Sequence, residues 1–238
     1  MDSGTADSTD PANSTDSADS TDSADSTDST DSTDSADATA VTGPAAGADA
    51  VDRAFDLAPR AAFLPTGQQQ FADFDTPLPL TGGATCSQPS TVARMLRLLD
   101  VRPGHRVLDV GSGSGWTTEL LAYLVGPAGS VTGVELLPDL AASAGEVLRR
   151  RSVGNARILT ADPATLGHPA DGPYDRILFS ADAGEGVPQE LVDQLADGGI
   201  MVGPVRGVMT VTRRTADRVV SDGHGRYRFV PLITTGES

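Results

Sequence analysis

The chain has 238 residues and a formal charge of −16 at pH 7, from 33 acidic side chains against 17 basic ones that are all arginine. Twelve of the acids fall in residues 1–50, which hold no basic residue, leaving 21 acids against 17 scattered arginines beyond them, a mildly acidic balance that disfavours nucleic-acid binding. The single cysteine, Cys86, excludes an intramolecular disulfide framework. No apolar run reaches the roughly 18 residues of a membrane span, and the N-terminus lacks a signal peptide's basic and apolar regions, so a cytoplasmic monomer without membrane partners is the expectation.

Residues 1–50, with repeats such as DSTDSADST, contain too few large apolar side chains to offset chain entropy and are expected to form a disordered tail. Residues 51–238 suffice for one α/β domain. Ser87 as N-cap and Pro89 in the first turn predict a helix that places Val92, Met95, Leu96 and Leu99 on one face, ended by Pro103-Gly104. Strands are predicted over 106–110, 130–134, 156–160 and 176–180, with crossover helices over 117–124 and 138–151, the latter striped by Leu140, Ala144, Val147 and Leu148. A helix over 188–195, closed by Gly198-Gly199, leads to a fifth strand over 200–204. The spans 208–213 and 226–230 suggest an antiparallel pair turned near Asp222-Gly223. Strands alternating with helices in this way predict a Rossmann-like, doubly wound, mostly parallel seven-stranded sheet.

The segment Asp109-Val110-Gly111-Ser112-Gly113-Ser114-Gly115 follows a predicted strand and opens a predicted helix, the context in which closely spaced glycines let a backbone approach a ligand. A dinucleotide site has the spacing GxGxxG facing a pyrophosphate; here it is GxGxG after an acid, which would repel a diphosphate and can receive an ammonium. Glu135, about 20 residues on at the end of the second strand, suits a pair of ribose hydroxyls. Asp162, just after the third strand, suits an adenine amino group. Together these acids and glycines point to S-adenosyl-L-methionine (SAM) as cofactor and to the class I SAM-dependent methyltransferase fold. A plain structural glycine turn and a nicotinamide site are the alternatives.

Four segments resemble the protein-L-isoaspartate O-methyltransferase family: VDRAFDLAPRAAFLP (51–65), FADFDTPLPLTGGATCSQP (71–89), the glycine motif ending in Trp116, and RFVPL (228–232). The resemblance implies methyl transfer to a side-chain carboxylate of isoaspartyl or aspartyl residues in a protein or peptide, followed by succinimide formation. It places Thr85 and Ser87 beside the reacting carboxylate, with Thr81, Gly83, Ala84, Val230, Pro231 and Leu232 around the peptide. Asp109, Gly111, Ser112, Gly113, Gly115, Glu135, Leu136 and Asp162 would hold the cofactor. An aspartyl methyltransferase that converts a ribosomally made precursor peptide to an aspartimide, and a SAM-binding peptide-recognition protein without turnover, are the other readings.

The chain departs from the family where Thr81-Gly82-Gly83-Ala84-Thr85 replaces Gly-x-Gly-Gln-Thr, and where Asp182 follows Ala181 in place of a small apolar residue. Pointing into the cleft, Asp182 would repel an acidic substrate unless Arg60 or Arg206 paired with it. Trp116 is read as packing the first crossover helix in preference to stacking on the cofactor, and Cys86 as a small packing side chain. Residues 149–151, all arginine, complement a helix C-terminus. The histidines His105, His168 and His224 are scattered, so no metal site is expected.

Overall fold

The computed structural model of the protein describes residues 46–233. The expected tail therefore lies, up to residue 45, outside the described residues, and its last five positions belong to helix α1 (Ala46–Leu57). There follow two-residue strands β1 (Leu78–Pro79) and β2 (Thr85–Cys86), then α2 (Pro89–Leu99), β3 (Arg106–Val110), α3 (Trp116–Val125) and β4 (Ser130–Glu135). Next come α4 (Pro138–Arg150), β5 (Ala156–Thr160), β6 (Tyr174–Phe179), α5 (Gln189–Asp193), β7 (Leu195–Val205), β8 (Val208–Thr215) and β9 (Arg218–Arg226).

The large sheet has seven strands in the order β5-β4-β3-β6-β7-β8-β9. The first five run parallel, and β8 and β9 add an antiparallel edge. Because successive strand residues point to opposite faces, the central strands, apolar on both faces apart from residues such as Asp109, Thr132 and Arg176, supply two cores. Val107, Leu178, Val202, Met209 and Val211 face the layer containing α1, α2 and α3, whereas Leu108, Val110, Ile177, Phe179 and Met201 face α5. Each fully buried apolar side chain of this size is worth about 1.5–3 kcal/mol relative to exposure. The order reverses beside β3, which pairs with β4 on one side and β6 on the other. A crevice opens at such a switch point beyond the carboxyl ends of the strands.

Among the boundaries that differ from the sequence expectation, three have clear local reasons. Gln88, not Ser87, is the N-cap of α2, with Pro89 at the first helical position. α5 is shorter than 188–195, because Leu195 already pairs with Tyr174 while Arg176 pairs with Ile200. Gly198-Gly199 thus sits in an irregular bulge of β7 and closes no helix. The edge hairpin turns between Thr215 and Arg218, which pair directly, instead of near Asp222-Gly223. Gly223 lies inside β9 opposite Thr210, where a Cβ would stand 3.0 Å from Val208 Cγ1. Its lack of a side chain serves close packing at a register shift, and residues 227–230, expected in a strand, run outside the sheet.

Candidate active site

The glycine loop after β3 is fastened to the neighbouring strand by Gly111 N and Ser112 N, which donate to Val134 O at 2.9 and 3.1 Å. Gly111 and Gly113 adopt φ of +71° and +56°, values that favour glycine. A Cβ at Gly111 would meet nothing within 4 Å, so the loop turns a bare backbone surface to open space. At the end of β4, the buried Glu135 carboxylate accepts Gly113 N at 2.9 Å through Oε2 and Leu137 N at 3.0 Å through Oε1. An ionised carboxylate offers about four acceptor positions, so two remain for a ligand. Asp162 follows β5, is exposed, and accepts Ala164 N at 2.9 Å.

These groups line a cavity of about 430 Å³, within the range of small-molecule sites. Of the residues singled out from the sequence, Gly111, Ser112, Gly113, Trp116, Glu135, Leu136 and Asp162 line it together with Gly83, Ala84, Thr85, Ser87, Val230, Pro231 and Leu232. Ser112 Oγ is buried without a hydrogen-bond partner, an orphaned polar atom beside a bare glycine surface. Together with two carboxylates, that donor and acceptor set fits an adenosyl group carrying an amino-acid arm.

Four singled-out residues lie outside the lining. Asp109 is fully buried beneath the loop, where Oδ2 accepts the hydroxyls of Thr117 at 2.8 Å and Thr118 at 2.7 Å. It therefore braces the start of α3 and does not open onto the ligand space. Burial pushes its carboxyl up to about 6, against the lowering effect of the two threonines, and the nearby Glu135 adds to the rise. Gly115 is the N-cap of α3 at φ +88°, where a Cβ would be 2.9 Å from Ile158 Cδ1. Thr81 is exposed in a short 3-10 turn, Thr81–Gly83.

Asp182 turns away from the cleft because its Oδ2 accepts Gly207 N at 2.9 Å at the β7–β8 turn. Neither Arg60 nor Arg206 pairs with it; Arg206 donates to the carbonyls of Gly184 and Glu185. The Asp182 backbone instead brackets the C-terminal wall, its N–H donating to Val230 O at 2.7 Å and its carbonyl accepting Leu232 N at 2.8 Å.

Sequence reasoning named Arg60 only as a candidate partner for Asp182 and missed its role as organiser of the wall that carries Thr85 and Cys86. Arg60 is buried and donates to Ala72 O and Phe74 O at 3.2 and 3.1 Å, and to Thr76 O and Cys86 O at 2.8 and 2.9 Å. Its guanidinium also lies 5.5 Å from the centre of the Trp116 ring. One side chain thus ties the 72–76 loop to the strand that carries Thr85 and Cys86. Trp116 packs edge-on against Phe55 at 5.3 Å and donates its indole N–H to Ala58 O at 2.9 Å, so it is a packing residue that also touches the cavity. Cys86 sits on the same wall with its thiol pushed up by burial. The only signal of Arg60 in the sequence was a lone arginine between apolar residues in a turn.

A doubly wound sheet with a glycine loop after β3, an acid ending β4 and another after β5 defines a class I SAM-dependent methyltransferase. The sequence model described as Protein-L-isoaspartate(D-aspartate) O-methyltransferase (PCMT) matches residues 44–237. The chain belongs to that family. It is 38% identical over 189 residues to a protein-L-isoaspartate O-methyltransferase of Pyrococcus horikoshii, covering 77% of this chain and 84% of that one. Against the protein of the same name from Methanocella arvoryzae it is 41% identical over 182 residues, covering 75% and 95%. Among solved structures, a protein-L-isoaspartate O-methyltransferase superposes with a TM-score of 0.70 at 25% identity, covering 77% of this chain and 61% of that one. A beta-aspartate methyltransferase (PCMT) from Plasmodium falciparum, in complex with S-adenosyl-L-homocysteine, superposes with a TM-score of 0.66 at 25% identity, covering 77% and 90%.

Proposed function

We propose that the protein transfers the methyl group of SAM to the free carboxylate of L-isoaspartyl residues in peptides or proteins. The observation that carries this reading is one cavity whose lining brings together two unlike sets of residues: the glycine loop, Glu135 and Asp162, and Thr85 and Ser87 with the 230–232 segment. Membership of the family and the names of its relatives support the substrate.

When bound, SAM supplies a sulfonium methyl that a carboxylate can take by direct displacement. The remaining work is done by this chain's residues. Glu135 accepts the ribose hydroxyls on its free lone pairs, Asp162 faces the adenine amino group, and the bare backbone at Gly111 and Gly113 admits the amino-acid arm. Thr85 and Ser87 orient the reacting carboxylate, which is already anionic at neutral pH, so no general base is needed. Alignment of this kind supplies roughly 7–11 kcal/mol of barrier lowering. The resulting methyl ester loses methanol as the next backbone nitrogen closes a succinimide, a step that asks nothing further of the protein.

Radiolabelled methyl transfer to matched aspartyl and isoaspartyl peptides tests the reading. Base-labile label on the isoaspartyl peptide alone is expected. Label on the aspartyl peptide alone would replace the proposed substrate with aspartate, and SAM binding without label on either would end the enzyme claim.

A further inference from the structure

Beyond β9 the chain runs to the cavity with its side chains parted by alternation. Tyr227 and Phe229 pack against the core, while Arg226, Arg228 and Val230 face solvent. Backbone bonds pin the segment at both ends, Tyr227 N to Gly207 O at 2.9 Å and Asp182 N to Val230 O at 2.7 Å. Val230, 40% exposed, is at the same time part of the cavity lining. The outward row steps from Arg226 through Arg228 to Val230 at the cavity.

Of the other arginines of this edge, Arg218 stands at the hairpin turn at the opposite end of β9 and three more are engaged. Arg213 pairs with Asp222 at 3.5 Å, Arg214 donates to the carbonyls of Val192, Asp193 and Leu195, and Arg206 is held by Gly184. Arg226 and Arg228 have no hydrogen-bond or ion-pair partner among the described residues. Two uncompensated cations thus lead along a fixed backbone to the wall where a peptide would lie, in a domain that is acidic on balance.

We propose that Arg226 and Arg228 form an acid-selecting rim, favouring isoaspartyl peptides that carry a further acidic side chain two to four residues from the reacting one. The spacing follows from register, since an extended peptide seated at Val230 keeps step with the segment residue by residue. The inference rests on the proposed use of the cavity and adds a substrate preference to it. Rim charges of this kind act on encounter and KM and leave the chemical step alone.

The test uses the full chain and one isoaspartyl peptide series with Glu, Gln or Lys placed two or four residues to either side of the isoaspartate. Methyl transfer is measured, and peptide binding is followed separately by fluorescence anisotropy with S-adenosyl-L-homocysteine present. Glu peptides should exceed Gln peptides by about three- to tenfold in kcat/KM at low salt, through KM, with the advantage fading as the Debye length falls below about 5 Å. In an R226E/R228E variant the order should invert in favour of Lys, a reversal that misfolding does not produce. Turnover without charge preference, or a preference unchanged by the reversal, would overturn the rim and leave the proposed function standing. Charge-selective binding without turnover on any peptide would do the opposite.

Discussion

Replacing Arg60 with Met keeps much of the aliphatic stem and removes every donor. Two of its acceptors, Ala72 O and Cys86 O, are bonded in buried surroundings, while Phe74 O and Thr76 O are partly accessible and can rehydrate. A buried carbonyl left without a donor costs about 1–3 kcal/mol, so two such groups and the lost cation–ring contact give a destabilisation of about 3–5 kcal/mol. For a domain of this size each kcal/mol moves Tm by about 2–4 °C, so a drop of roughly 10 °C is expected by calorimetry or circular dichroism. The damage is local to one wall, so peptide KM should rise more than the SAM Kd. An Arg60→Met protein melting within about 2 °C of the parent, or losing cofactor and peptide affinity in equal measure, would refute the role assigned to this side chain.

Asp109 gives a pH signature. Its folded pKa of about 6 lies above the ordinary carboxyl value. The folded state therefore binds the proton more tightly than the unfolded one, and this contribution to stability is full below pH 4 and lost as pH rises to 6. The loss amounts to about 3 kcal/mol. Asp109→Asn should remove it, so the parent should lose stability relative to the variant between pH 4 and 6 in urea titrations; parallel curves would refute the assignment. Glu135→Ala should weaken SAM binding in calorimetry by about 1–3 kcal/mol, or about 5- to 150-fold, because it also frees Gly113 N and Leu137 N. Gly203→Ala would put a Cβ 2.4 Å from the Phe179 ring, and overpacking of this kind costs about 1–3 kcal/mol, visible as a lowered denaturation midpoint.

What the sequence showed and hid follows from the physics of each element. β3 and β5 have the boundaries expected of them because they are short runs bounded by Pro-Gly, Gly-Ser or Gly-Asn turns, where periodicity and punctuation agree. β7 and β9 were misjudged because their glycines sit within strands, at a bulge and at a close approach, instead of ending an element. The place of Glu135 and Asp162 in the cavity lining was legible because the carboxyl ends of strands in a doubly wound sheet face the crevice. Asp109 shares that sequence context, but threonines at the start of the following helix draw its carboxylate downward. Arg60 leaves no periodic trace at all, since its acceptors are backbone carbonyls 12 to 26 positions away.

No α-helix joins β5 to β6, only a short 3-10 turn, Pro169–Asp171; the cavity's margin at Thr165, Leu166 and Gly167 is loop. That loop is held by Gln194, just past α5, whose amide donates to Leu166 O at 2.7 Å and Glu190 O at 2.9 Å while its carbonyl accepts His168 N at 2.8 Å. Gly167 lets the loop close on it, since a Cβ there would stand 2.5 Å from Gln194 Oε1. The Gln194 amide, helped by the Tyr174 hydroxyl donating to His168 O at 2.7 Å, is thus the latch between the ligand space and the far side of the sheet. Ligand occupancy should accordingly register as slowed hydrogen exchange at the His168 amide, which lies outside the cavity lining.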